Sequence, residues 1–218
     1  MKALFSTAFL APISYFSILQ MVDEVFLEKF ETYSKQSYRN RAVIYSANGS
    51  LDITVPVEKI HGNHTLSSEM IVCNKTGWNK KCWRAIESAY RSTPFFIYYS
   101  DEYQVVFDNP PETLWELNQE LLNLNLKHLQ LKKIISETDS FEKKPLEMLD
   151  FRTSIHPKAE LDFGMAFPEY FQVFSPRLGF KPNMSILDLI FHLGPDAKGY
   201  LQKIVLPVKE NNPESVNK

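Results

Sequence analysis

The densest polar stretch in the sequence is Tyr33-Ser-Lys35-Gln-Ser37-Tyr38-Arg39-Asn40-Arg41. Three cations, two phenols, hydroxyls and two amides within nine residues can clamp a carboxylate or phosphate, with arginine doing so bidentately. The stretch follows the end of an expected strand, which is where α/β folds bind ligands. The same residues also suit a solvated edge strand with a mixed face. A second cluster is Asp150-Phe-Arg152-Thr-Ser-Ile-His156-Pro-Lys158. It combines a candidate acid/base, His156, with a carboxylate able to orient it and two cations. A histidine before proline in a loop can equally be surface decoration. The third runs from Asn183 to His192. Asp188 and His192 are four residues apart and share a helix face, which suits a carboxylate orienting an imidazole. Asp188 is also the last residue of Ser185-Ile-Leu-Asp188, and capping that helix is the preferred reading of it.

Composition removes several alternatives. The chain has 218 residues, 44% apolar and 23% charged, as an ordinary globular protein does. Its net charge of −2 lacks the basic footprint of a nucleic-acid binder. Seven glycines stand against thirteen prolines, and the glycines are too far apart to write GxGxxG or GxSxG. Gly194 and Gly199 have P-loop spacing, but Tyr200 follows where lysine is required. Any grip on phosphate therefore falls to side chains. The five histidines lack the spacing of a metal site, so none is expected, and no motif names a cofactor. Cys73 and Cys82 match no zinc or redox pair, and Cys82 reads as a buried free thiol. No stretch approaches the roughly 20 apolar residues of a membrane span. The Met1–Met21 run contains Pro12 and several hydroxyls and has no cleavage site, so it reads as core rather than as a signal peptide. Four Asn-x-Ser/Thr sequons matter only in a secreted eukaryotic chain.

These residues need elements to hold them. Ala3–Leu10 reads as a strand, Ile13–Met21 as a helix, and Glu24–Phe30 as a second strand. Ala42–Ser46 and Leu51–Val57 flank Asn48-Gly49, which predicts a hairpin with a type I′ turn centred on that pair. His61–Ser68 reads as loop. Trp78, Cys82, Ala85, Ile86 and Ala89 recur at helical spacing, and Phe95–Phe107 also leans helical. Asn109-Pro-Pro-Glu112 predicts a cap for a long helix reaching about Leu131. A polar loop should follow from Ser140 to Phe180, then the short helix opened by Ser185 and closed by Gly194-Pro195. Lys203–Val208 is a candidate last strand. The expected class is α/β or α+β: a strand–helix–strand unit and a hairpin in a mixed sheet. One domain over 1–208 is expected, with a helical subdomain at about 75–131 and a polar tail at 209–218.

Read in order, the segments resemble the WbqC-like protein family over nearly the whole chain. The resemblance rests on Pro12-Ile-Ser-Tyr15-Phe16, Tyr33–Arg41, Leu51–Val57, Trp83 through Tyr90, and Pro94-Phe95-Phe96. It continues with Asp150-Phe-Arg152, Ile155-His156-Pro157-Lys158, Tyr170-Phe-Gln172-Val-Phe174, and Pro182-Asn183-Met-Ser185-Ile-Leu-Asp188 with Gly194-Pro195. The resemblance implies a bacterial protein of O-antigen or other surface-polysaccharide gene clusters. It also implies an amino-acid or acyl transferase that decorates sugars. Two departures stand out. Relatives often begin with a His-Gln-Pro-Asn-Tyr-like segment where this chain has Ser6-Thr-Ala-Phe-Leu, and often carry Asn in place of His192.

The expectation is a cytoplasmic transferase moving an amino-acyl or acyl group to a sugar or sugar nucleotide. Its small-molecule substrate would be a sugar, a sugar nucleotide or an amino acid. Catalysis would fall to His156, Asp150 and Arg152. Binding would fall to Tyr33, Lys35, Ser37, Arg39, Asn40, Arg41, Lys158, Gln172, Asn183 and His192. The alternatives are a nucleotide-binding or nucleotidyl-transfer enzyme and a non-catalytic sugar-binding protein.

Overall fold

The computed structural model describes residues 1–157 and 164–204. The fold is α/β. It opens with β1 (Lys2–Ser6), α1 (Ile13–Met21) and β2 (Glu24–Glu28), then a hairpin of β3 (Arg41–Ser46) and β4 (Gly49–Thr54). A small pair, β5 (Val57–Glu58) and β6 (Ile71–Val72), leads into three helices: α2 (Trp78–Tyr90), α3 (Phe96–Asp108) and α4 (Leu114–His128). β7 (Ile135–Glu137) and β8 (Leu149–Asp150) return to the main sheet, and α5 (Ser175–Leu178), α6 (Ile186–Leu193) and α7 (Ala197–Lys203) follow.

The main sheet has the order β7-β2-β1-β8, and every pairing in it is parallel. A parallel strand covered on both faces is apolar throughout. Accordingly Ala3, Leu4 and Phe5 are all buried, and so are Val25 and Leu27. Helix α1 has no charged side chain and buries every residue from Ile13 to Leu19, Ser14 and Ser17 included, as a core helix does. The chain steps from β1 to β2 and on to β7 in one direction, then crosses back to lay β8 on the far side of β1. That reversal is a topological switch point, and it lies between β1 and β8.

Several elements end elsewhere than the sequence predicts. β1 stops at Ser6, because Phe9 turns away to donate to the Tyr38 carbonyl at 2.8 Å and Leu10 adopts φ 44°. β2 stops at Glu28, whose carboxylate accepts from the Phe30 amide. The hairpin pairs Ser46 with Gly49, and only Gly49 of the two expected turn residues has positive φ (101°). A type I′ turn needs positive φ at both central residues, so the expected turn is replaced by one entered at Ala47-Asn48. The long helix is capped by Thr113, not Asn109: its hydroxyl accepts from the Glu116 amide at 3.2 Å while Glu116 reaches back. It ends at His128, with Gln130 at φ 53°. The Ser140–Phe180 stretch contains β8 and α5. The candidate last strand is helix as far as Lys203, and beyond Ile204 it lies outside the described residues, as does the tail. Cys82 is buried, and burial pushes its thiol up to about 11. No helix of the described residues is long and apolar enough to cross a membrane.

Candidate functional site

The carboxyl ends of the parallel strands carry polar and charged side chains. β7 ends on Glu137, β2 on Glu28, β1 on Ser6 and β8 on Asp150. Ser6 sits beside Glu28 in the ladder. Beyond β2 the chain adds Glu31, and the segment before β3 brings in Arg39. Arg39 Nε and Nη2 grip the two Glu31 oxygens at 2.7 and 2.5 Å, and Nη2 also donates to Ser6 Oγ at 2.7 Å. Ser6 Oγ faces Glu31 Oε2 at 3.1 Å and the Arg152 carbonyl at 3.3 Å. Arg39 Nη1 has no hydrogen-bond partner among the described residues. The Asn118 amide of α4 donates to the Arg39 carbonyl at 2.8 Å and so holds this segment against the helix layer.

Arg152 arrives from the other side of the switch point. Nη1 donates to Glu28 Oε2 at 2.9 Å, and Nε and Nη2 fork onto the Asp150 carboxylate at 2.9 and 2.7 Å. Both arginines, Glu28 and Glu31 are buried. Burial alone would raise the Asp150 carboxyl, but the hydrogen bonds and charge of Arg152 outweigh it and hold the group below the ordinary carboxylate range. The same fork raises Arg152 further, against its own desolvation.

A cavity of about 10 Å³ lies among Ser6, Tyr15, Tyr38, Arg39, Phe151 and Ile155, with room for about one water. Burial pushes the Tyr38 phenol up to about 12, with Asp52 adding to the effect and Arg41 opposing it. A second cavity of about 190 Å³ is lined by Leu4, Phe26, Glu28, Glu137, Glu142 and Met148. Arg152 borders the first cavity and hydrogen-bonds Glu28 and the Glu142 carbonyl, which belong to the second.

A family model described as the WbqC-like protein family matches residues 7–162. The chain belongs to that family. The match takes in Glu28, Glu31, Arg39, Asp150, Arg152 and His156, and stops short of Gln172, Asn183 and His192. The uncharacterised protein Rv1507c of Mycobacterium tuberculosis is similar, at 27% identity over 212 residues, covering 86% of this chain and 91% of that one. No solved structure matches the chain.

The structure of this WbqC-like chain thus joins Arg39 to Asp150 and Arg152 from the sequence-predicted residues. His156 is half-buried just beyond Ile155, and Lys158 lies outside the described residues. The rest of Tyr33–Arg41 is mostly scaffold. Lys35 is exposed. Ser37 Oγ bonds the Ser34 carbonyl, and the Asn40 amide bonds the Val55 carbonyl. Tyr33 is buried under Lys59, and Arg41 pairs with Asp52 on the hairpin at 2.8 Å. Asn183, at φ 52°, accepts from the Ser14 amide and so caps the start of α1.

Gln172 and His192 belong to a second buried group around Asp188. Gln172 Nε2 donates to both Asp188 oxygens at 3.1 and 3.2 Å. His192 Nε2 accepts from the Val173 amide at 3.0 Å, which places its proton on Nδ1, 2.7 Å from the Asp188 carbonyl. The expected capping role of Asp188 gives way to these contacts: Ser185 alone caps the helix, accepting from the Leu187 amide. Burial raises the Asp188 carboxyl despite those partners. None of the three lines the cavity at Ser6.

Sequence reasoning missed Ser6, Glu28 and Glu31. Two carboxylates at a buried strand end, Glu28 and Glu31, with unmatched cations elsewhere, were the signal available. Ser6 carried no signal beyond its place at the end of the first strand.

Proposed function

We propose that the protein is a cytoplasmic transferase of bacterial surface-polysaccharide synthesis, of the O-antigen kind, moving an amino-acyl or acyl group to a sugar or sugar nucleotide. The observation that carries this is the meeting of the Arg39 guanidinium and the Arg152 main-chain carbonyl at Ser6, outside the carboxyl ends of β1 and β8. Ligands of open parallel sheets bind at such a switch point. Arg39 Nη1, without a hydrogen-bond partner among the described residues, is the donor for an anionic group of the donor substrate, with Lys35 as an outer cation. The carboxylate-lined cavity suits the hydroxyls of one sugar ring, being smaller than the roughly 300–1,000 Å³ of drug-sized sites. His156 is the base for the attacking sugar hydroxyl.

The test is transfer of a labelled acyl or amino-acyl group to nucleotide sugars, with the same ligands screened by thermal shift. His156→Ala should lower turnover by about 10²–10⁴-fold. Turnover within a few fold of wild type removes His156 from the mechanism, and neither transfer nor stabilisation by any ligand removes the transferase.

The strand order favours one second reading, nucleotide binding with nucleotidyl transfer, since β7-β2-β1-β8 repeats the 3-2-1-4 order of doubly wound nucleotide folds. Glycine scarcity weighs against it, because no backbone cradle is available for phosphates. Tight calorimetric binding of a nucleoside triphosphate would favour this reading.

A further inference from the structure

We propose that Ser6 is a covalent nucleophile, with Glu31 as its base and Arg39 as the group that orients Glu31. The inference rests on the transferase reading and adds a two-step course to it. A serine becomes reactive when a base lies within hydrogen-bond reach and a third group fixes that base. Ser6 Oγ lies 3.1 Å from Glu31 Oε2, and the Arg39 fork fixes Glu31 from the other side at 2.7 and 2.5 Å. Arg39 Nη2 also lies 2.7 Å from Ser6 Oγ, so it stabilises negative charge on that oxygen. Glu31 and Arg39 are buried, where such charge effects are stronger than in water.

Position supports the same role. Ser6 ends the central strand at the switch point and lines the small cavity. The segments on either side hold unfavourable backbone: Leu10, fully buried, has φ 44°, and Gln36 has φ 56°. Strain of this kind persists where the surroundings over-determine it, and it gathers at active sites. The Phe9 amide ties the two segments together through the Tyr38 carbonyl.

In the first step Ser6 Oγ attacks the carbonyl carbon of an acyl thioester. A C–O bond forms, the C–S bond breaks, and the serine proton passes through Glu31 to the leaving thiolate. In the second, a sugar hydroxyl attacks the acyl-serine. The new C–O bond to the sugar replaces the one to Ser6, and the sugar's proton returns to the serine oxygen. Nothing is oxidised or reduced.

The experiment uses the full chain with p-nitrophenyl acetate, a small acyl donor. The expected result is a burst of about one nitrophenolate per chain, with the acetyl group mapped by peptide mass spectrometry to Ser6. Ser6→Ala should lose the burst and the label while remaining folded, as a cooperative thermal melt would show. Glu31→Gln should slow the burst by roughly 10²-fold or more. Ser6→Cys, which leaves the Glu31–Arg39 fork intact, should keep the burst and carry a thioester. No acetylation of wild type, or equal labelling of Ser6→Ala, overturns the proposal. If Ser6→Ala still moves an acyl group to a sugar, the covalent step is wrong and the transferase stands. If Ser6 is labelled but no sugar accepts the group, the nucleophile stands and the transferase reading falls.

Discussion

Arg152 Nη1 lies 2.9 Å from Glu28 Oε2, although 124 residues separate the two in the chain, and both side chains are buried. Together with Asp150 they form a three-member ion group next to the Glu31–Arg39 pair. Removing one member of a buried ion pair leaves an unpaired charge, which costs about 3–5 kcal/mol. Arg152→Met should therefore lower unfolding free energy by about that amount in a urea titration. Adding Glu28→Gln should restore part of it, because the stranded charge is gone. Two variants that destabilise additively would show that the pair is not coupled.

Arg41 offers the contrast. Its pair with Asp52 lies on the hairpin surface, with Arg41 partly exposed and Asp52 exposed to solvent. Exposed pairs contribute about 0–1 kcal/mol. Arg41→Ala should change stability by less than about 1 kcal/mol in the same titration, while Arg39→Ala should cost several times more.

The framework was largely legible in the sequence, because periodicity reports burial. The strand–helix–strand opening, the hairpin and the three middle helices all stood in the pattern of apolar residues. Boundaries failed where side chains compete for backbone groups. Asn109 has Glu112 three residues on, as a cap should, yet the helix begins after Thr113, and it is Thr113 and Glu116 that complete the reciprocal pair. The site was half legible. Arg39 and Arg152 stood out as cations, yet their partners Glu28 and Glu31 read as ordinary strand-end residues. Only the strand order, which links Ser6 to Arg152, brings them together, and no local pattern encodes that order. Gln172 and His192 gather apart from Ser6, where their polar atoms bond Asp188 and the backbone, and no local pattern encodes that grouping either.

The cap gives a direct check. Thr113→Ala removes the hydroxyl that accepts from the Glu116 amide, and lost caps cost typically about 1 kcal/mol. Asn109→Ala should cost measurably less. A thermal or denaturant melt of the two variants distinguishes them, and equal losses would return the cap to Asn109.

Gly194 closes α6 at φ 52°, and a Cβ built there would collide with the Phe95 ring. Gly194→Ala should therefore destabilise by roughly 2 kcal/mol or more, through backbone strain and overpacking together. Gly199, where a Cβ meets nothing within 4 Å, should accept alanine. Melting temperatures of the two variants test the contrast.

His128 sets a pH dependence. Burial, stronger than the attraction of Glu102, lowers its pKa below the ordinary 6.5. A base with a lowered folded pKa binds protons more readily when unfolded, so its contribution is present above about 6.5 and is lost as pH falls through the folded value. Wild type should lose stability on acidification through that window, and His128→Phe should lose less. A parallel pH profile for both proteins would remove His128 from the account.

The strand order also bears on how the chain comes off the ribosome. β1 is made well before its neighbour β8 and before Arg152, 146 residues downstream, whose carbonyl Ser6 meets. Until then one edge of β1 has no partner, and an unpaired parallel edge invites pairing with other chains. Closing so long a loop also slows folding relative to local contacts. A nascent chain stalled before residue 149 would display that edge, so chaperone dependence should concentrate in truncations ending there.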